Sequence, residues 1–297
     1  MSKVAVVKTE NRETGVRSSV ETLGINPVKG KQVLIKPNFN TADPVPGSTD
    51  NATLMALIDT LWDMGAKSIA LGERSYPPTR SVMEEKGVLD LLAQKEVAVI
   101  NFDELPKSDW VEFTPEDSHW PNGFRVARPV LEAECLVSTC CLKTHQFGGV
   151  FTLSLKLHVG VVPTTRNGFP YMTQLHGSPH QQEMIAEINA PFSPDLIVLD
   201  GIDAFVDGGP MTGKRAKGNV FLAAADRVAL DAVGVAMLKS LGANRTIMDP
   251  PIFKQRQIAR AAALGLGAGG PDDIDLIPAD DAGRGLCDTL QSILKEG

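Results

Sequence analysis

The sequence predicts an α/β fold: an open, mostly parallel sheet with helices on both faces, followed by a helical C-terminal extension. Three observations carry this. Short apolar runs rich in valine, isoleucine and leucine alternate with segments of helical periodicity. Residues 33–71 read as one strand–helix–strand unit, whose crossover makes its strands parallel and its connection right-handed. The strand-like runs are too unevenly spaced for an eightfold barrel, so the sheet is open.

Each element has its own warrant. Val4–Lys8 is a short apolar strand, and Thr14–Leu23 a helix closed by Gly24. Val33–Lys36 is a strand stopped by Pro37. Ser48, Thr49 and Asp50 then offer N-caps to the clearest helix in the chain. Its Leu54, Leu57, Ile58, Leu61 and Trp62 form one apolar stripe, and Gly65 stops it. Ser68–Leu71 is the next strand, Val82–Gln94 a helix broken at Gly87, and Val97–Phe102 a strand. Residues 105–125, rich in Pro, Asp and Trp, read as an excursion of short strands or loop. Leu136–Thr139 is a strand, Val150–Val162 a buried helix, Pro179–Asn189 a helix and Leu196–Leu199 a strand. Val220–Ala224 is a strand leading into the helix Val228–Leu241. Residues 251–264 form a helix, Ile274–Ile277 a strand and Gly285–Lys295 a last helix. No linker breaks the series; residues 1–242 are expected to form the ligand-binding α/β domain, with 243–297 packed on it as the extension.

Composition excludes several function classes. With 43% apolar and 22% charged residues over 297 positions, the chain can bury a substantial core and is not globally disordered. A net charge of −7 argues against nucleic acid or an anionic membrane as a partner of the whole surface. No apolar run reaches transmembrane length, and the best, Val228–Leu238, is interrupted by Asp231. The first residues lack the apolar core of a signal peptide, so reduced cysteines and a cytoplasmic location are expected. The four cysteines include no Cys-x-x-Cys pair, so no iron–sulfur cluster is expected in this chain.

Ligands of open parallel sheets bind beyond the carboxyl ends of the strands. The residues following each expected strand are therefore the candidates: Lys36, Asn38 and Asn40; Glu73 and Arg74; Asn101 and Asp103; Lys143 and His145; Asp200 and Asp203; Asp226. Such residues also cap helices and turns, but here lysines, a histidine and carboxylates converge on one edge. Lys36 and Asn38 are suited to an anionic or amide-bearing ligand, against the alternative of a rigid turn built on Pro37. Lys143 suits an anion, and His145 a proton or a metal ion. Gly148 and Gly149, expected to open a helix, leave backbone N–H groups for an anion. Lys156 sits inside the apolar run 150–162, where an ammonium needs a partner such as Asp203 or Asp231, an outlet into a ligand pocket, or a path to the surface. An interior Asp231 has the same need, with Lys156 or Lys36 as candidate partners. His176 precedes the helix that Pro179 starts, so the His176–His180 spacing is a poor metal motif; a site from His145, His176 and Glu73 or Asp203 is the better candidate. The loop Gly208–Gly213, with Gly209 inside it, is a candidate lid or donor of backbone N–H groups. Neither a Walker loop nor a Gly-x-Gly-x-x-Gly fingerprint occurs.

Several of these segments, in this order, resemble the family named domain of unknown function 362. They are Val33-Leu-Ile-Lys-Pro-Asn38, Gly65-Ala-Lys-Ser-Ile69 with Gly72-Glu73, Lys143-Thr-His145, Leu155-Lys-Leu-His-Val-Gly160, Asp195-Leu-Ile-Val-Leu-Asp-Gly201 with Gly209-Pro210, and Ala225-Asp-Arg-Val-Ala-Leu-Asp231. The resemblance runs from about residue 30 to 242, and more weakly through 258–277. It implies an α/β domain, in some members joined to a ferredoxin-like iron–sulfur module, and no particular reaction. This chain departs from the pattern in lacking the module's cysteines, in Gly72-Glu-Arg where Gly-Asp-Ser is commoner, and in Leu157-His158 where Asn and an aromatic are usual.

The expected function is thus an enzyme or cofactor-handling protein that binds a small anionic ligand at the carboxyl edge of the sheet, with a divalent metal as a candidate cofactor. Lys143, His145 and Lys156 are the expected catalytic groups. Lys36, Asn38, Glu73, Gly148, Gly149, Asp203 and Gly209 are the expected ligand contacts, and His145 and His176 the candidate metal ligands. Two alternatives are a non-catalytic carrier of a ligand or metal, and an isomerase-like site similar to the nickel-pincer lactate racemases, which also combine lysine with histidines. A homo-oligomer is a candidate assembly.

Overall fold

Val4 and Val6 are buried on one face of a strand, Ala5 and Val7 on the other. Leu34 and Ile35, Leu136 and Val137, and Leu222 and Ala223 repeat that two-sided burial. Strands apolar on both faces need cover on both. A computed structural model of the chain, which describes residues 1–166 and 169–296, shows that cover.

The strands in chain order are β1 Ser2–Lys8, β2 Gln32–Lys36, β3 Ser68–Glu73, β4 Val97–Asn101, β5 Trp110–Phe113, β6 Phe124–Ala127, β7 Cys135–His145, β8 Val150–Thr152, β9 Thr165–Arg166, β10 Phe169–Pro170, β11 Leu196–Gly208, β12 Gly213–Lys217, β13 Val220–Ala224 and β14 Ile274–Pro278. The main sheet runs β14-β1-β13-β11-β7-β2-β3-β4, with β12 added beside β11 and β8 beside β7. The pairs β11–β7, β7–β2, β2–β3 and β3–β4 are parallel, as is β1–β14. Only β13 runs against its two neighbours on this path. Strands β5–β6 and β9–β10 form two small hairpins outside the sheet.

One face is covered by the helices Arg12–Leu23, Asn51–Asp63, Thr79–Glu85 and Val88–Gln94, which bury Val16, Leu54, Leu57, Val82 and Leu92. The other is covered by Gln181–Glu187, Arg227–Ser240, Arg256–Ala263 and Asp281–Glu296, which bury Ile185, Leu230, Ile258 and Leu290. The expected caps are present: Asp50 accepts from the Ala52 N–H at 2.8 Å, Gly24 ends its helix at φ 70°, and Gly87, at φ 63°, parts the two helices of 79–94.

Four expectations are corrected. The strands expected at 136–139 and 196–199 are longer, eleven and thirteen residues, and project past the sheet edge with β8 and β12 paired to their ends. The run 150–162 is not one helix: it is β8, the short helix Ser154–Leu157 and a 3₁₀ turn His158–Val161. An apolar run of that length reads as a helix, but Asp231 fixes a helix start inside it by accepting from the Ser154 N–H at 2.7 Å and the Leu155 N–H at 3.2 Å. Finally, because β13 is reversed, Asp226 leaves the sheet at the edge opposite the carboxyl ends of β2, β3 and β7. There it caps a helix, accepting from the Val228 and Ala229 N–H groups. After residue 242 the chain is mainly helical, and it also supplies β14 to the sheet. Among the described residues, no helix is long and apolar enough to cross a membrane.

Candidate functional site

Beyond the carboxyl ends of β2, β3 and β7 lies a cavity of about 450 Å³. Lys36, Glu73, Lys143 and His145 reach it from those strand ends, and Asn38 and Asn40 from the loop after β2. Thr152 of β8, Lys156 and His176 close its far side. The parallel strands thus deliver most of the expected residues to one place.

The floor is an ion pair. Lys36 Nζ lies 2.5 Å from Glu73 Oε1, both side chains about 1% exposed. The lysine also donates to the Pro37 carbonyl at 2.8 Å. Glu73 accepts from the backbone N–H groups of Phe39 and Arg74, each at 2.9 Å. Burial pulls the Lys36 ammonium down and pushes the Glu73 carboxyl up, and each partner opposes the shift of the other. Gly160 crosses directly over the pair: a Cβ there would stand 2.7 Å from Glu73 Oε1 and 2.8 Å from Lys36 Nζ. Arg74 beside them is buried and spends its guanidinium on the carbonyls of Val159 and Val162.

The wall is charged differently. Lys143 Nζ donates to the Gly47 carbonyl, and at 3.4 Å to that of Pro210. Asn38 holds the Gly47 loop through the Thr49 hydroxyl at 2.9 Å. Lys156 is 7% exposed and, among the described residues, its ammonium has no hydrogen-bond or ion-pair partner. Neither carboxylate considered for it serves: Asp231 is taken by Ser154, whose Oγ is at 2.5 Å, and Asp203 lies elsewhere. Burial, with Lys143 adding to it, lowers the Lys156 amine to about 7; burial lowers Lys143 to about 8. Burial and both lysines push His145 far below the ordinary imidazole range, so its ring is neutral. His145 Nδ1 accepts from the Phe147 N–H at 3.2 Å, which leaves the proton on Nε2. Thr152 also lines the cavity, and its buried Oγ1 has no hydrogen-bond partner among the described residues.

The rings of His145 and His176 stack with centroids 6.3 Å apart. Gln181 Nε2 lies 2.9 Å from His176 Nδ1. Glu73 is committed to Lys36, and among the described residues no group of three or more His, Cys, Asp or Glu side chains is placed to hold a metal ion.

Four expected contacts sit otherwise. Asp203 does not line the cavity; Arg12 at 3.1 Å and Lys217 at 2.6 Å hold it in ion pairs. Its strand continues past Leu199, and a register shift between Asp200 and Ala204 redirects it. Gly148 and Gly149 form the β7–β8 turn rather than a helix start. Gly149 matters through its lack of a side chain, since a Cβ would fall 2.7 Å from Lys156 Cε. Gly209, at φ 73°, packs on the Thr144 carbonyl, where a Cβ would stand at 2.1 Å, and so sets Pro210 and Met211 over the cavity.

Sequence reasoning missed Gly160 and the apolar lining: Tyr76, Phe147, Leu157, Val159, Met172 and Met211. Phe147 and Met211 stand beside motifs already singled out, His145 and Gly209, and that adjacency was the available signal.

Known proteins are similar to this one in sequence and fold. The thylakoid-associated protein sll1697 of Synechocystis is 28% identical over 244 residues, which covers 78% of this chain and 73% of that protein. The lactate racemase apoprotein of Thermoanaerobacterium thermosaccharolyticum matches with a TM-score of 0.49 at 16% identity, over 79% of this chain and 57% of that one. A structural-genomics protein of Thermotoga maritima matches with a TM-score of 0.47 at 12% identity, over 78% and 57%. The chain thus spans little more than half the length of either structure. The model of the family described as domain of unknown function (DUF362) matches residues 33–236, well over half of the sequence, and the chain belongs to that family.

Proposed function

We propose that the cavity binds a small organic anion, and that Lys156 holds it and exchanges a proton with it near neutral pH. The observation that carries this is the Lys156 ammonium, buried on a cavity wall with no counter-charge among the described residues. A buried cation without a partner is costly, and a ligand carboxylate or phosphate removes that cost. Lys143 adds a second positive charge, and the neutral His145 offers an Nε2–H donor. Among the described residues, the only carboxylate lining the cavity is Glu73, which Lys36 neutralises, so an anion meets a positive field there. An amine near pH 7 suits proton exchange because both of its forms are populated there.

The test is calorimetric titration of succinate, acetate, octanoate and inorganic phosphate into wild type and Lys156→Met at pH 6.5. Binding of at least one anion by wild type is expected, weakened about 10–100-fold in the variant, the worth of a hydrogen bond to a charged group. Melting temperatures check that the variant is folded. Equal binding by a folded variant, or no binding of any of these anions by wild type, would reject the reading.

A further inference from the structure

Resting on that anion site, we infer that the ligand is amphipathic: a carboxylate head carrying an alkyl or aryl tail, rather than a compact inorganic or wholly polar anion. The lining changes character with depth. Of its charged and titratable groups, Lys36, Glu73, Lys143, His145 and Lys156 are buried, at most 8% exposed. Its exposed members include Tyr76, Phe147 and Met211, at 73%, 50% and 37%. Leu157, Val159 and Met172 lie between, buried or half-buried.

The grouping at the mouth is not what a random surface gives. Seven large apolar side chains are exposed among the described residues, and three of them ring this one opening. The other four, Met1, Ile25, Val99 and Met248, do not line this cavity. Scattered exposed apolar groups need no explanation, whereas a cluster bordering a cavity marks a binding surface. A phosphate or a short dicarboxylate would use the lysines and leave this rim in water. A tail leading out from a head on Lys156 and Lys143 meets Leu157 and Val159 and then the rim. Met172 and Met211 are unbranched and fit tails of differing shape. A cationic or zwitterionic head is disfavoured, since among the described residues no unpaired carboxylate lines the cavity.

The test is a chain-length series. Acetate, butyrate, hexanoate and octanoate are titrated into wild type at pH 6.5, beside inorganic phosphate. Each buried methylene is expected to tighten binding about threefold to fourfold, so octanoate exceeds acetate by roughly a hundredfold or more. The triple variant Tyr76→Ser, Phe147→Ser, Met211→Ser should cut the octanoate-to-acetate ratio at least about tenfold; its substitutions are at exposed positions, and circular dichroism and melting check its fold. Acetate and octanoate binding alike, or phosphate binding while no monocarboxylate does, would overturn the amphipathic ligand and leave the anion site standing. No binding of any anion would remove the site and this inference together. An octanoate preference that survives in the folded triple variant would also overturn it, because the tail would not lie on this rim. So would a flat series together with a wild-type dimer that the triple variant dissolves, which would assign the rim to a second copy of the chain.

Discussion

Lys36 and Lys156 line the same cavity, both nearly withdrawn from water, and differ in what answers their charge. Lys36 meets Glu73 at 2.5 Å, and backbone N–H groups complete the carboxylate's shell. Among the described residues Lys156 meets no carboxylate, and the charge that acts on it is another lysine, Lys143. The floor therefore spends its charge inside the protein and is architecture. The wall keeps its charge unspent, and that is where a ligand's binding energy can come from.

The largest expected effect separates the two by sign. Lys36→Met strands the Glu73 carboxylate in a buried site, and stability should fall by about 3–5 kcal/mol. For a chain of this size that lowers the melting temperature by roughly 10 °C. Lys156→Met removes an uncompensated buried charge and keeps most of the stem's packing. The ligand-free variant at pH 6.5 should be as stable as wild type or more so, by up to about 1–3 kcal/mol. Thermal and urea unfolding of both variants decides it. Equal destabilisation would mean that Lys156 has a structural counter-charge, and the contrast between floor and wall would be gone.

The next effect sharpens the contrast through pH. An unfolded lysine titrates near 10.5 and Lys156 in the folded chain near 7. Between those values the unfolded chain binds more protons, so the stability of the ligand-free protein should rise with pH. Below about 7 both states are charged and the full cost of burying the ammonium is present. The gap between Lys156→Met and wild type should therefore shrink from pH 6.5 to 9. Anion affinity should move oppositely, since it needs the ammonium, and loss of the Lys156 proton alone lowers it by at most about tenfold per unit above pH 7. Of the other groups facing Lys156, His145 and His176 are held neutral by burial, and Lys143, near 8, steepens the loss at higher pH. Lys36 and Glu73 compensate one another. Affinity independent of pH from 6 to 9 would remove Lys156 from the anion's contacts.

How much of this was legible follows from where each signal resides. Lys36, Glu73 and Lys143 could be placed because a parallel strand exit fixes its edge and the apolar runs marked the strands. Strand direction has no local signature, so Asp226 was grouped with an edge that it does not share. The stop of an apolar run is not the stop of its strand: Ile202 and Ala204 carry β11 onward after Asp200, and with them the environment of Asp203. The run 150–162 hid three elements because its helix start comes from Asp231, far along the chain. Phe147 and Met211 went unread because an apolar residue looks alike in sequence whether it fills a core or borders a cavity. The charges of the site were visible one by one; that one lysine is answered and another is not is a property of packing.

The smallest expected effect marks where the site ends. Asp203 is a carboxylate that the cavity does not include, held by Arg12 and Lys217, the latter exposed. An ion pair with an exposed lysine contributes little, because water screens it and the long side chain loses freedom, and Arg12 keeps Asp200 at 2.9 Å after Asp203 is gone. Asp203→Asn should therefore cost less than about 1 kcal/mol of stability. Its effect on the anion site is confined to a long-range, salt-screened field. Removing a negative charge leaves the surroundings more positive, so anion affinity should rise slightly or stay within about twofold at 0.15 M salt. A ligand contact would give the opposite sign, because losing it weakens binding. Calorimetry of succinate, or of whichever anion binds best, at low and physiological salt reads both sign and screening; a loss beyond about tenfold, unchanged by salt, would extend the site to Asp203 and past the wall drawn here at Lys156.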